Sequence, residues 1–288
     1  MSRMLVFGSS GLLGRALMSR MSVKAVGTSL TREAEDRVKL DAVNAEAVRN
    51  VIEEVKPEIV VNLIAERRPK FWGDLVSLRK VNVDTARNVA EAAAIYGADL
   101  IHVSTDYVFP NGGPHSVNSP HLPTNSYGFT KSEAESAVRS ENRDAIIVRM
   151  PVLYGSVERF DECNLSELVH RLYCATQPVS LDTWAKRRPT HVADVAETLA
   201  QIADNPQAWR HRNIHVSAKG WHSQFEMGRL AAQLIGIDFS MLNPVSNDNP
   251  ERPRMVDLEL DTYTPFLDRY RSLEQGLAEV YESYVSVG

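Results

Sequence analysis

Tyr127 and Lys131 stand four residues apart in the segment "SYGFTKSEAE" (126–135), one turn of a helix and the same face. A phenol ionises near pH 10, and a lysine cation one turn away favours its charged form, so the pair has the makings of an acid–base group. Ser104 and Thr105 end an apolar run 22 residues before the tyrosine, close enough in a folded chain for a hydroxyl to meet the phenol. The spacing has two readings, a proton relay or two ordinary surface side chains, and position in the fold decides between them.

A second group of candidates opens the chain. In "GSSGLLGR" (8–15), Gly8, Gly11 and Gly14 fall between an apolar run and a helical pattern. Such a turn lets the backbone approach a pyrophosphate while helix amides point at it, the arrangement of a dinucleotide site. After the second apolar run comes "VGTSLTR" (26–32), where an NAD site usually carries an acid for the ribose hydroxyls. Thr28, Ser29 and Arg32 stand there instead and suit a 2′-phosphate, unless Arg32 is only a solvated loop charge. Asp41, in "KLDA", is placed either to accept from an adenine amino group or to cap the next helix.

The elements that must position these residues alternate. "RMLVF" (3–7), "VKAVG" (23–27), "EIVVNLIA" (58–65), "DLIHVST" (99–105) and "AIIVRM" (145–150) read as strands. Between them, 11–21, 44–55, 75–96 and 127–140 show helical apolar spacing, which implies a parallel sheet covered on both faces. The expected class is α/β, a Rossmann-type doubly wound parallel sheet over residues 1–150. Beyond it lies a smaller C-terminal α/β lobe, 151–288, whose chain crosses back if it extends the sheet. Helices are expected there at 164–175, 191–204, 223–236 and 270–285, with strands at 213–217 and 241–245. Thr190 is a candidate N-cap, with Asp194 in the first turn. Residues 110–125 read as a long surface loop.

Composition bounds the function. A net charge of −5 speaks against a general attraction to nucleic acid or acidic membranes. Every apolar run is far short of the roughly 20 residues of a bilayer span. The start "MSRMLVFG" has no secretory h-region, and the two cysteines, Cys163 and Cys174, are spaced for neither a zinc pair nor a redox motif. A cytoplasmic protein with plain thiols and no metal site is expected. His191 fits a structural role better than a catalytic one, and Arg187 and Arg188 serve either an anionic ligand or internal ion pairs.

Taken together, the glycine turn, "STDYVF", "YGFTK", "RMPVLYG", "RRPTHVADVA" (187–196) and "ERPRMVDLELD" (251–261) resemble the extended short-chain dehydrogenase/reductases. The similarity is to the branch that holds dTDP-4-dehydrorhamnose reductases and the regulatory β subunits of methionine adenosyltransferase. The resemblance implies an NADP (NADPH) cofactor, with Tyr127 as proton donor, Lys131 on the nicotinamide ribose and Thr105 on the substrate carbonyl. It implies that Gly8, Ser10, Gly11, Leu12, Leu13 and Gly14 surround the phosphates and that Leu40 and Asp41 lie near adenine. Leu63, Arg67 and Leu153 would line the remaining groove. "AERRP" (65–69) is similar to the β subunits, which implies a methionine adenosyltransferase catalytic subunit as partner and modulation of S-adenosylmethionine synthesis. The alternative is reduction of a nucleotide-linked 4-keto sugar. Two departures stand out: Phe7 replaces the usual Thr before the first glycine, and Arg67 and Arg68 put a cationic pair by the substrate entrance, to bind phosphate, pair with acids or obstruct a sugar.

Overall fold

Strand Met4–Phe7 (β1) is apolar at every position, and its side chains alternate between two cores. Leu5 and Phe7 enter one, Met4 and Val6 the other. The computed structural model describes residues 3–21, 25–32, 37–260 and 269–287. Within them β1 lies inside a seven-stranded sheet, next to its central strand. Ala25–Ser29 (β2) and Arg37–Lys39 (β3) lie on one side of it. On the other lie Ile59–Asn62 (β4), Asp99–Thr105 (β5), Ile146–Met150 (β6) and Asn213–His215 (β7). The order is β7-β6-β5-β4-β1-β2-β3, and every pairing is parallel. The expected doubly wound sheet is therefore present. Of the expected strand 23–27, residues 23 and 24 lie outside the described residues, as does Asp261 of the last resembling segment.

Parallel pairing needs crossovers, and helices supply them on both faces. Ala45–Val55 (α2), Thr85–Ile95 (α4) and Ser126–Glu141 (α5) give residues such as Ile52, Val89 and Val138 to the core holding Leu5. Leu12–Arg20 (α1) and Val192–Asp204 (α7) cover the other face through Leu17, Val195 and Leu199. Each such side chain taken fully from water contributes about 1.5–3 kcal/mol. Asn44 starts α2 by accepting from the amides of Glu46 at 3.0 Å and Ala47 at 3.2 Å.

A third core sits beyond the carboxyl edge. Asn164–Tyr173 (α6), Gln224–Ile235 (α8) and Leu273–Val287 (α9) pack around Leu168, Leu172, Ala231 and Leu277. The chain after residue 150 is thus interleaved: α7 and β7 return to the sheet while α6, α8 and α9 build the lobe. Strand Leu242–Val245 pairs with Val179–Asp182 in that lobe. The stretch read as a loop, 110–125, contains the short strand Gly112–His115, which pairs in parallel with Val256–Leu258. Neither strand shows an apolar period long enough to be read alone.

The expected helix 75–96 is broken by a change of pitch. Leu75–Arg79 (α3) runs into a π turn, Lys80–Asp84, before α4 begins. Asn82 lies in that turn, fully buried. It accepts from the amide of Glu66 at 2.7 Å and donates to the Glu66 carbonyl at 3.1 Å and to Thr130 Oγ1 at 3.0 Å. One side chain therefore ties the loop after β4 to α5. Asn82→Ala leaves buried donors and acceptors unpaired and should cost about 2–4 kcal/mol. Denaturant midpoints measure this, and a loss below about 0.5 kcal/mol would show that the bridge holds nothing.

Candidate functional site

The turn between β1 and α1 is shaped by how closely its backbone approaches itself. A Cβ on Gly14 would lie 2.4 Å from the Gly8 carbonyl and 2.7 Å from Ser9, so only glycine fits. Gly11 differs: it is exposed, and a Cβ there meets only the Gly8 carbonyl, at 3.4 Å. As N-cap of α1, Gly11 has no side-chain cap, so the first amides of the helix stay available at the carboxyl edge of the sheet. The cradle fits a dinucleotide pyrophosphate.

Around it the structure brings together the residues singled out by sequence. Leu12, Leu63 and Leu153 are half-buried against the core beneath α1 and α7, while Leu40 packs against the opposite core. Leu13 is buried. Asp41 is exposed and accepts from the Val43 amide at 3.0 Å; it shapes a turn, and Asn44 takes the helix cap. Arg32 is not a free loop charge. It donates to the Ser10 carbonyl at 2.7 Å and pairs with Glu158 at 3.2 Å and Glu162 at 3.1 Å.

The Tyr127 end of the groove is built by α5. Asn125 caps this helix through the Gly128 amide at 2.8 Å. Gly128 lies so close to the turn after β5 that a Cβ would sit 2.1 Å from the Tyr107 carbonyl. Trp72 stacks parallel to Tyr127 with ring centroids 6.4 Å apart, and Tyr107 meets it edge-on at 6.1 Å. Thr105 ends β5 with its hydroxyl donating to Asp106 at 3.1 Å and accepting from the Tyr107 amide at 3.3 Å. Buried Asp106 is pushed up to about 6 by desolvation, against the pull of Arg187 and Thr105. The phenol of Tyr127 is pushed up to about 12 by burial, against the hydrogen bond with Thr105 and the charge of Arg67.

That shift corrects the expectation that Lys131 draws the phenol toward ionisation. Lys131 is buried and turns inward, donating to the Val103 carbonyl at 2.8 Å with His102 Nε2 at 3.4 Å. The Ile64 amide donates to Asn62 Oδ1 at 3.1 Å, which leaves Nδ2 facing His102 Nδ1 at 3.3 Å. With Nδ1 accepting, the neutral ring carries its proton on Nε2, toward Lys131, an arrangement that favours the uncharged amine. Burial pushes the Lys131 ammonium down to about 8, only partly opposed by Glu135. Burial likewise holds His102 well below the ordinary histidine range, helped by the charges of Lys131 and Arg139.

The two arginines after β4 are both paired. Arg68 Nε donates to Glu66 at 2.8 Å, and Arg67 donates to the Glu162 carbonyl, tying the loop to the start of α6. Arg187 is also internal, donating to the carbonyls of Pro253 at 2.8 Å and Lys186 at 2.7 Å and to Tyr107 Oη at 3.2 Å. Arg188 pairs with Asp257 at 2.9 Å. His191, rather than Thr190, caps α7, accepting from the Ala193 amide at 3.3 Å; Thr190 instead accepts from Ala218 at 2.9 Å. Asp194 does lie in the first turn. Both cysteines are free thiols, and the described residues hold no metal-ligand cluster and no helix long and apolar enough to cross a membrane. Sequence reading missed Asn62, Asn82, His102, Trp72 and Glu162. Asn82, a poor helix former inside a helical pattern, was the one visible signal among them.

The Lys131 environment has a pH signature. Below pH 8 the ammonium is charged in both folded and unfolded chains and its burial penalty is felt in full. Stability then rises between pH 8 and the ordinary 10.5, by about 3 kcal/mol in all. Lys131→Met removes the penalty and should be the more stable protein at pH 7, by about 1–3 kcal/mol once the lost Val103 contact is deducted. Denaturant melts at pH 7 and pH 10.5 test this. A gap that does not narrow with rising pH would mean that Lys131 is not desolvated.

The chain has relatives in sequence and in structure. The family described as RmlD substrate binding domain matches residues 2–285. Methionine adenosyltransferase 2 subunit beta of Bos taurus is 34% identical over 279 residues, covering 89% of this chain and 80% of that protein. The dTDP-4-dehydrorhamnose reductase of Mycolicibacterium smegmatis is 28% identical over 279 residues, 96% of this chain and 80% of that protein. The crystal structure of dTDP-4-dehydrorhamnose reductase from Bacillus anthracis in complex with NADP superposes with a TM-score of 0.84 at 23% identity, over 98% of this chain and 99% of that one. The last likeness speaks for the fold, and the match of sequence from end to end speaks for descent: this chain belongs to the RmlD substrate binding domain family.

Proposed function

We propose that this chain is an NADP-binding regulatory subunit of methionine adenosyltransferase, acting in the cytoplasm on a catalytic subunit and thereby on S-adenosylmethionine synthesis. The observation that carries the reading is the similarity to a β subunit over 89% of this chain at 34% identity, above the 28% identity to the reductase. The state of the site agrees with it. Trp72 stacks on Tyr127, and Lys131 faces inward. A groove built this way holds a cofactor without committing its tyrosine to proton transfer.

NADP would lie with its pyrophosphate over Gly8–Gly14 and its adenosine between Arg32 and Leu40–Asp41. Its nicotinamide ribose would lie toward Tyr127 and Lys131, lined by Leu63, Arg67 and Leu153. When bound, the nicotinamide supplies hydride chemistry, and this chain's residues bind and orient it. A second reading, an NADPH-dependent reductase of a nucleotide-linked 4-keto sugar, draws support from the Thr105, Tyr127 and Lys131 set at one end of the groove. The residue division 1–150 for the cofactor and 151–288 for substrate or partner is part of this proposal.

Tyr127→Phe keeps the ring and its stacking and removes the proton. Added to a methionine adenosyltransferase catalytic subunit, the variant should bind and modulate S-adenosylmethionine formation within about fivefold of the unaltered chain, since at most a hydrogen bond of about 1 kcal/mol is lost. An NADPH-dependent keto-sugar turnover that falls by about 10²–10⁴ in the same variant would instead establish the reductase.

Cofactor binding is tested at Gly11. Because Gly11→Val has room in the cofactor-free fold but projects where the pyrophosphate lies, it should melt like the unaltered chain and show no NADP binding by calorimetry. Tight binding in that variant would refute the placement of the phosphates. Arg32→Ala should lower NADP affinity by roughly tenfold or more while sparing NAD, as loss of one charge-assisted contact of about 1.5–3 kcal/mol requires.

A further inference from the structure

The acidic segment that crosses the glycine turn has two glutamates with opposite exposures. Glu162 is the buried one: its side chain is 8% exposed and sits between two guanidinium groups. Arg15 grips it in bidentate fashion at 2.6 and 3.1 Å, and Arg32 Nη2 donates to it at 3.1 Å. It also accepts from the Glu158 amide at 2.9 Å. Although burial works to raise it, the Arg15 hydrogen bond, the Glu158 amide and Arg32 hold the Glu162 carboxyl below the usual range. It is therefore charged at neutral pH.

Glu158 touches the same two arginines from outside. Its side chain is 57% exposed, with one oxygen 3.3 Å from Arg15 Nε and the other 3.2 Å from Arg32 Nη1. Both arginines also donate to the Ser10 carbonyl, Arg15 at 3.0 Å and Arg32 at 2.7 Å. The guanidinium groups are thus pinned to the phosphate turn itself. Two cations and two carboxylates balance here, and release of Glu158 alone leaves one unit of positive charge facing the groove. The exposed pair costs little to break, whereas the buried one is costly.

We infer that Glu162 is a specificity-determining positioning residue, which fixes Arg15 and Arg32 over the turn, and that Glu158 is an exchangeable carboxylate whose place a cofactor phosphate takes. This rests on the reading of Arg32 as the contact for the 2′-phosphate. The two glutamates then act in opposite directions on one equilibrium. Glu162 lowers the ordering cost of gripping the phosphate, and Glu158 competes with it. Because both lie in the segment leading into α6, occupation of the phosphate site is felt at the start of the C-terminal lobe.

Calorimetric titration of NADP and NAD into the full chain and its variants tests the inference without any activity assay. Glu162→Gln should weaken NADP by about tenfold and NAD by less than about twofold. Glu158→Gln should tighten NADP by roughly threefold or more, again with little change for NAD, and should increase the salt dependence of NADP binding, because salt then screens the attraction without also weakening a competing carboxylate. Weaker NADP binding in Glu158→Gln, or an unchanged NADP-to-NAD ratio in both variants, overturns the inference. If Glu162→Gln does not fold, the sign of the Glu158→Gln effect decides, since that side chain is mostly solvated. Arg32→Ala separates the two failures. If it too leaves the ratio unchanged, the 2′-phosphate assignment has failed and the inference with it. If it abolishes the preference while the glutamate variants do nothing, only the inference falls.

Discussion

A parallel sheet covered on both faces leaves its polar groups one common exit, and that constraint organises this molecule. Strands β1, β4 and β6 are buried along their whole length. Polar side chains that must act therefore collect just beyond the carboxyl ends, where every strand of the sheet delivers its next residues. Gly8, Arg32, Leu63, Thr105 and Leu153 reach the same edge for that reason, although they are far apart in sequence. The helices add to it by pointing the uncapped amides of α1 and the first turn of α5 toward the same edge.

The site is held by neutral bridges as well as by charges. Asn62 and Asn82 are both buried, and each satisfies backbone groups of the loop after β4 while reaching a neighbouring element. An asparagine offers both donors and an acceptor, so it can close two gaps without carrying a charge that would have to be desolvated. The arginines do the longer-range work. Arg67, Arg15 and Arg32 all reach the 158–162 segment, so the glycine turn, the loop after β4 and the start of the lobe are fastened by the same few contacts.

Much of this was legible in the residues alone, and the failures share a cause. Six of the seven sheet strands and the helices α1, α2 and α5 follow directly from apolar spacing, because burial on one or two faces leaves a period in the sequence; the edge strand β3, largely exposed and with one apolar residue, leaves none. The glycine turn and the Tyr127–Lys131 pair were visible through residue type and place. What spacing cannot carry is direction. Lys131 sits where expected yet faces Val103, and Arg32 sits where expected yet is already engaged by glutamates more than a hundred residues away. Strand Gly112–His115 and the π turn at Lys80–Asp84 escaped because each is stabilised by a distant partner, Val256–Leu258 and Glu66 respectively, and not by its own pattern.

The return of β7 and α7 to the sheet also orders events during synthesis. Helix α7 supplies Val195, Leu199 and Ile202 to the face beneath α1, and β7 covers the edge of β6. A ribosome that has released only the first 150 residues presents a sheet with one apolar face covered by α1 alone and one edge unpaired, a state prone to associate with other chains. The first 150 residues therefore cannot complete themselves as an early, independent unit. The sheet's last structural component, Asn213–His215, emerges only after α6 has been made, so the lobe and the sheet must mature together.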